Sequence, residues 1–188
     1  LLPMRRGCVP VIATGVGAGA ALVSDGRTSG HYVEDEGIEW KVSSRIRERF
    51  GNSAHINVTS YNRNVLLTGE APNDTVRGEL DAIVAGVEHV RGVINEVVVG
   101  PNSALTARGN DTLITSNVKA RFVDAGRFSA HNVKVVTEAN VVFLMGIVTR
   151  AEADAAAEVA RTSQGVRKVV RVFEYISDEE ARRLDNPT

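Results

Sequence analysis

The sequence predicts an α+β protein built from two copies of one α-β-β-α-β unit. The main observation is an internal repeat, since residues 64–70 (NVLLTGE) are matched 77 positions later by residues 141–147 (VVFLMGI). Three further matching patches keep the same order at offsets of 76 or 77, which indicates a duplicated small fold. Within each copy, helical spacing of apolar residues alternates with the period-two pattern of strands. The two helices of each copy are expected to pack on one face of a three-stranded mixed sheet.

In the first copy, Asp35 is the expected N-cap of a helix whose apolar residues recur every four positions. That stripe consists of Ile38, Val42 and Ile46. Residues 55–61 and 65–68 alternate as paired strands and predict a β-hairpin. A second helix follows, and residues 93–99 are the expected third strand. The apolar side of the second helix is expected to be Leu80, Ile83, Val84 and Val87.

The second copy repeats this order. Asp111 or Thr112 is the expected N-cap of its first helix. Its buried stripe is expected to be Ile114, Val118 and Phe122. Strands are expected at residues 133–137, 141–145 and 169–176. Thr149 is the expected cap of the alanine-rich second helix.

The repeat also predicts the domain organisation. Residues 1–34 are expected to be an anchor region and a flexible tether. The two copies are expected at residues 35–100 and 108–177. Residues 178–188 are expected to form a charged C-terminal tail with a short helix. The run of residues 11–23 is too short and too rich in glycine to span a bilayer.

Charge distinguishes the two copies. The formal net charge of the whole chain is −1, which argues against nucleic-acid binding. Residues 35–100 carry seven Lys or Arg and ten Asp or Glu, whereas residues 108–177 carry ten Lys or Arg and seven Asp or Glu. The second copy is therefore the better candidate for an anionic partner. The alternative is that this difference is neutral variation on solvated surfaces.

No constellation of residues predicts catalysis, a cofactor or a metal site. The four histidines do not have the spacing of zinc ligands, and no serine lies in a nucleophile elbow. With Cys8 as the only cysteine, no internal disulfide is possible. Trp40, the only tryptophan, is expected to be a core residue of the first helix rather than a lid.

Several of these motifs resemble those of a known family. Residues 65–69 (VLLTG) and 142–146 (VFLMG) are similar to the V-x-L-x-G motif of BON domains. Residues 165–169 (GVRKV) resemble the later Gly-Val-x-x-Val motif, from which the first copy departs by having His89 in place of the glycine. The order of Cys8, a small-residue tether and two such domains resembles the dual-BON outer-membrane lipoproteins of the DolP type.

This resemblance implies a non-enzymatic envelope protein on the periplasmic face of the outer membrane, which supports the integrity of that membrane. It implies that the first helix of the second domain, around residues 112–123, binds anionic phospholipid such as phosphatidylglycerol or cardiolipin. The implied lipid-binding residues are Leu113, Asn117, Lys119, Ala120 and Arg121. Leu113 is placed where the family can carry an aromatic anchor, and the alternative is that it packs on the other domain.

The resemblance also implies that Cys8 is lipidated. Gly7 fits the sequence that precedes a lipidated cysteine, whereas Arg5 does not. The alternative is a free thiol in a flexible tail. Two other functions remain open, namely a scaffold that recruits another envelope protein, and a soluble periplasmic stress-type protein without an anchor. The scaffold would dock its partner on exposed sheet edges or on the acidic first domain.

Overall fold

The computed structural model describes residues 29–185. Of the predicted anchor and tether, residues 1–28, including Cys8, lie outside this range, whereas residues 29–34 are helical and not a flexible tether. The described chain divides into two compact units, of which the first ends at Ala104 and the second begins at Leu105.

The first unit has two helices and one mixed sheet. Its elements are α1 (Ser29–Phe50), β1 (His55–Tyr61), β2 (Asn64–Ala71), α2 (Asp74–Ala85), β3 (Gly92–Asn95) and β4 (Val98–Val99). Strand β2 pairs antiparallel with β1 and parallel with β3 and β4. Asn73 is the N-cap of α2, because its side chain accepts a hydrogen bond from the Val76 N–H at 2.9 Å.

The second unit repeats the arrangement. Its elements are α3 (Leu105–Ala125), a 3-10 turn (Ala130–Asn132), β5 (Val133–Glu138), β6 (Val141–Val148), α4 (Arg150–Arg161), β7 (Lys168–Tyr175) and α5 (Asp178–Asp185). The sheet order is β5-β6-β7, with β7 parallel to β6. Thr149 and Glu152 form a capping box at the start of α4. The predicted fold class is therefore confirmed in both units.

The predicted helix stripes form the cores. The stripe of α1 lies in the core of the first unit together with Leu80 and Val84 of α2. The stripe of α3 lies in the core of the second unit together with four alanines of α4. Alanine at these positions lets α4 approach its neighbours closely. Burial of one large apolar side chain stabilises a fold by roughly 1.5–3 kcal/mol, so these stripes are a main source of stability.

Both first helices begin earlier than predicted. Helix α1 begins at Ser29 and α3 begins at Leu105, so Asp35, Asp111 and Thr112 lie within the helices and are not caps. Asp35 and Asp111 are buried, and their carboxylates accept hydrogen bonds from the hairpin turn of their own unit. A polar residue just before an apolar stripe is found both at a helix N-cap and inside a longer helix. The sequence pattern could not distinguish the two, so the predicted N-caps were wrong.

The hairpin turns need this support because of their backbone conformation. Asn62 and Arg63 in the first unit, and Ala139 and Asn140 in the second, all have positive φ between 48° and 64°. Two consecutive residues of this kind are typical of a type I′ turn, which usually contains glycine. The aspartate carboxylates bind the N–H groups of these turns from inside the unit.

The third strand of the first unit is interrupted, unlike the single strand predicted over residues 93–99. Pairing with β2 stops after Asn95 and resumes at Val98 in the same register. The Asn95 side chain donates to the Arg77 carbonyl and the Asp81 carboxylate, and accepts from the Val97 N–H. These bonds hold the chain locally in a turn. In the second unit, β7 is continuous over eight residues.

The glycine of the V-x-L-x-G motif has the same role in both units. A Cβ on Gly69 would overlap the backbone oxygen of His55, and one on Gly146 would overlap that of Asn132. The central strand therefore passes too close to its neighbour for any side chain at this position.

Trp40 is not a core residue, which corrects the prediction. Its side chain is 62% exposed, because the core-facing side of α1 is occupied by Ile38, Val42 and Ile46. Among residues 29–185, no helix combines the length and the hydrophobicity needed to cross a bilayer.

Candidate functional site

Three of the five predicted lipid-binding residues lie together on the exposed side of α3. Leu113, Asn117 and Ala120 are separated by four and three positions, which places them along one face of a helix. All three are exposed, and the Leu113 side chain is 69% exposed. Ile114 and Val118 are on the opposite, buried side. We call Leu113, Asn117 and Ala120 the α3 stripe.

Lys119 and Arg121 flank the α3 stripe on its two sides, since each residue advances about 100° around a helix. Both are only partly exposed. Lys119 lies on the same edge as Thr115, whose hydroxyl donates to Thr137 of β5 at 2.7 Å. Arg121 lies on the edge towards α4. The structure therefore groups the predicted residues as an exposed stripe with a cation on either side.

The guanidinium of Arg121 is bound to the C-terminal end of α4. Its Nη1 donates to the Val159 carbonyl at 3.0 Å and to the Ser163 hydroxyl at 2.7 Å, and its Nη2 donates to the Thr162 hydroxyl at 3.1 Å. A cation at this position satisfies carbonyl groups that the helix leaves unpaired and interacts favourably with the helix dipole. Much of the hydrogen-bonding capacity of Arg121 is thus used within the unit.

The same arrangement exists in the first unit. Arg45 lies 76 positions before Arg121, and its Nη1 donates to the Gly86 carbonyl at the end of α2 at 2.7 Å. An arginine at this position consequently supports the fold in both copies. Sequence reasoning missed this role, although the equivalence of Arg45 and Arg121 in the repeat was a signal for it.

Asp111 holds the position of α3 relative to the hairpin turn. Its two carboxylate oxygens accept from the N–H groups of Ala139 and Asn140, both at 2.9 Å. Because Asp111 precedes Leu113 by two residues, these bonds fix the part of α3 that carries the α3 stripe.

Two further apolar side chains, Leu105 and Val123, are exposed on α3 and were not predicted as site residues. They are 18 residues apart, about five helical turns, and therefore lie on one side of α3.

Comparison with known proteins identifies the family. The BON domain family matches residues 34–101 and 110–177. The chain is 37% identical over 173 residues to "Outer membrane lipoprotein DolP" of Haemophilus influenzae, covering 91% of this chain and 90% of that protein. It is 37% identical to the "21 kDa hemolysin" of Actinobacillus pleuropneumoniae, over 81% of this chain and 79% of that protein. It is 28% identical to "Osmotically-inducible protein Y" of Escherichia coli, over 83% of this chain and 80% of that protein. The chain therefore belongs to the BON-domain family, as a tandem-BON protein of the DolP type.

Proposed function

We propose that this protein is a non-enzymatic lipoprotein of the bacterial envelope whose second unit binds anionic phospholipid through α3. In this proposal Cys8 carries the lipid anchor, and the protein lies at the periplasmic face of the outer membrane and supports its integrity. The similarity to a protein named as an outer membrane lipoprotein supports the envelope location. Residues 35–100 and 108–177 are the proposed domains.

The observation that carries this proposal is the exposed leucine at the centre of α3. Leu113 is 69% exposed, and the other two residues of the α3 stripe, Asn117 and Ala120, are not large apolar side chains. Lys119 lies on one side of it. A protruding apolar residue with adjacent cations can insert at the boundary of headgroups and acyl chains while the cations meet phosphate.

The expected affinity is low. Burial of Leu113 contributes at most about 1.5–3 kcal/mol, and Lys119 near an anionic surface contributes about 1 kcal/mol. Arg121 is expected to add less, because its guanidinium already binds the end of α4. The domain would then bind lipid reversibly and in a salt-dependent manner. The acyl chains on Cys8 would supply the permanent attachment.

Sedimentation with vesicles tests the proposal. The full chain is purified with Cys8→Ser, so that it carries no acyl chain, and is mixed with phosphatidylcholine vesicles with or without phosphatidylglycerol. We expect pelleting only with phosphatidylglycerol, and its loss at high salt. Leu113→Asp and Lys119→Glu should each reduce pelleting while the thermal melt is unchanged.

Val33→Asp is the matched control for Leu113→Asp. Val33 is an apolar side chain on the first helix of the other unit and is 65% exposed. Its replacement introduces the same charge but should leave pelleting unchanged. Equal loss with Val33→Asp, or full binding by Leu113→Asp, would contradict the proposed site.

A scaffold function is the second candidate, and one observation favours it. Trp40 and Val33 are both exposed on α1 and are seven residues apart, which places them on one face of that helix. Tryptophan is enriched at the centre of protein interfaces. If this function is correct, one envelope protein should co-purify with the parent and with Leu113→Asp, and be lost with Trp40→Ala.

A further inference from the structure

Strand β7 forms one edge of the sheet of the second unit. It is the last strand in the order β5-β6-β7 and pairs with β6 over its whole length, Lys168–Tyr175. The N–H of Ile176, directly after the strand, donates to the Val148 carbonyl of β6 at 3.0 Å. Because successive residues of a strand direct their backbone groups to alternate sides, the even-numbered residues of β7 bind β6 and the odd-numbered residues face the open edge. The outward-facing residues are Val169, Arg171, Phe173 and Tyr175.

The open edge of β7 is long and regular. Within residues 29–185, no element other than β6 forms backbone hydrogen bonds with β7. The strand contains no proline, glycine or bulge, which are features that commonly keep an edge strand from pairing with a further strand. A row of unpaired N–H and C=O groups with this spacing is complementary to another extended polypeptide segment. The partner expected at this edge is therefore a strand.

The corresponding edge of the first unit is interrupted. Pairing with β2 stops after Asn95 and resumes at Val98, so that β3 has four residues and β4 has two. The positions equivalent to Lys168 and Glu174 are Gly92 and Val98, which carry no charge. The continuous, charged edge is consequently a property of the second unit.

The order of side chains along β7 is complementary to itself. Residues 168–174 read KVVRVFE, with Lys168 and Glu174 at equal distances from Arg171. If a second β7 lies antiparallel with the two Arg171 residues opposite one another, Lys168 faces Glu174 at both ends. Opposite charges and apolar side chains that face one another stabilise an antiparallel pair. The apolar pairs in this register are Val170 with Val172 and Val169 with Phe173.

The backbone and the central charge are compatible with this register. Odd-numbered residues face odd-numbered residues, so the outward N–H and C=O groups of the two edges meet as hydrogen-bonded pairs. Lys168 and Glu174 then occupy non-hydrogen-bonded positions, where side chains on the two strands lie closer together. Arg171 forms an ion pair with Asp154 of its own α4, which reduces the repulsion between the two guanidinium groups.

We propose that β7 is a self-association site, at which a second copy of this chain adds its own β7 antiparallel and joins the two sheets into one. The two copies would be related by a two-fold axis at Arg171, so each contributes the same surface. The proposal involves no residue of α3 and therefore goes beyond lipid binding and does not depend on it. A pair of eight-residue strands is a small interface, so the dimer is weak and reversible.

Sedimentation equilibrium of the full chain tests this proposal, with Cys8→Ser so that no disulfide can link two copies. We expect a monomer–dimer equilibrium that Lys168→Glu weakens about tenfold or more, because two Lys–Glu pairs become two Glu–Glu pairs. Combining Lys168→Glu with Glu174→Lys recreates two opposite-charge pairs and should restore dimerisation. The matched control is Lys41→Glu, which makes the same charge change at an exposed position of α1 and should dimerise as the parent does.

Amide hydrogen exchange locates the interface without any variant. The N–H groups of Val169, Arg171, Phe173 and Tyr175 should exchange more slowly as the protein concentration rises, whereas those of the even-numbered residues should be protected at every concentration. A chain that stays monomeric at its highest soluble concentration would overturn the proposal. So would a dimer in which the four outward amides remain unprotected, or one that the combined charge exchange fails to restore. Protection of these amides only by a different protein would assign the edge to a strand of that protein, and would likewise overturn the second copy as its occupant.

Discussion

The two units share the residues that hold the fold and differ in those that cover its surface. Asp35 and Asp111 both bind a hairpin turn, and Arg45 and Arg121 both bind the end of a helix. By contrast, the first unit has Gly37, Lys41 and Ser44 at the positions of the α3 stripe. Each unit therefore serves as a comparison for the other. A residue with the same contacts in both copies is explained by the fold alone.

This comparison changes the interpretation of Arg121. Its place on the first helix of the basic unit made it a candidate for lipid phosphate, yet the same contact exists in the acidic unit. Leu113 has no such counterpart, because the first unit has Gly37 there. The differences, rather than the shared features, are the better guide to where a function specific to the second unit lies.

The largest expected effect comes from removing the shared aspartates. Asp111→Ala leaves two turn N–H groups without their acceptor, and Asp35→Ala removes at least three hydrogen bonds, including one from the Ser60 hydroxyl. We expect each to destabilise its own unit by about 3–5 kcal/mol, because bonds to a charged acceptor contribute about 1.5–3 kcal/mol each. Hydrogen exchange of amides within each unit measures the loss separately.

Replacement by asparagine is the control for the aspartate prediction. An asparagine side chain at either position would keep one acceptor oxygen, so Asp111→Asn and Asp35→Asn should cost less than the alanine variants. A loss below about 1 kcal/mol for either alanine variant would show that water or a side chain replaces the carboxylate, and that the shared bond is not a support of the fold.

A smaller change in stability is expected at one equivalent position where the copies carry different residues with positive φ. Gly165 has φ of +84° and His89, its counterpart, has φ of +71°. We expect Gly165→Ala to destabilise the second unit by about 1–2 kcal/mol, because the left-handed region is unfavourable for residues with a Cβ and Ile114 lies 3.1 Å away. His89→Gly should stabilise the first unit by about 0.5–1 kcal/mol, as read from the urea midpoint.

The His89 prediction has a competing term. The His89 Nδ1 lies 2.8 Å from Glu34, and these side chains are 59% and 30% exposed. An exposed pair of this kind contributes little, so relief of backbone strain should prevail. If His89→Gly instead destabilises the first unit, the contact with Glu34 outweighs the strain and His89 is a structural replacement for the glycine.

The features that sequence could predict are those encoded over short distances. Helix stripes, hairpins and the capping box of Thr149 follow from periodicity within a few residues, and the repeat allowed each element to be recognised twice. The true roles of Asp35 and Asp111 depend on partners 27 to 29 residues away, and that of Arg121 on partners about 40 residues away. The break after Asn95 depends on an amide that bonds to α2. Such long-range side-chain contacts have no periodic signal.

The smallest expected effect is on the fluorescence of Trp40. Its emission wavelength tests whether membrane contact is confined to the second unit. Trp40 is the only tryptophan and is 62% exposed on α1, so it reports on the first unit without a label. With vesicles that contain phosphatidylglycerol, we expect its emission to keep the wavelength of a solvent-exposed indole. The control is Leu113→Trp combined with Trp40→Phe, whose emission should shift to shorter wavelength as the ring enters the interface. A blue shift of Trp40 in the parent would mean that α1 also meets the bilayer, and the distinction between the two units as lipid-binding and non-binding would then be lost.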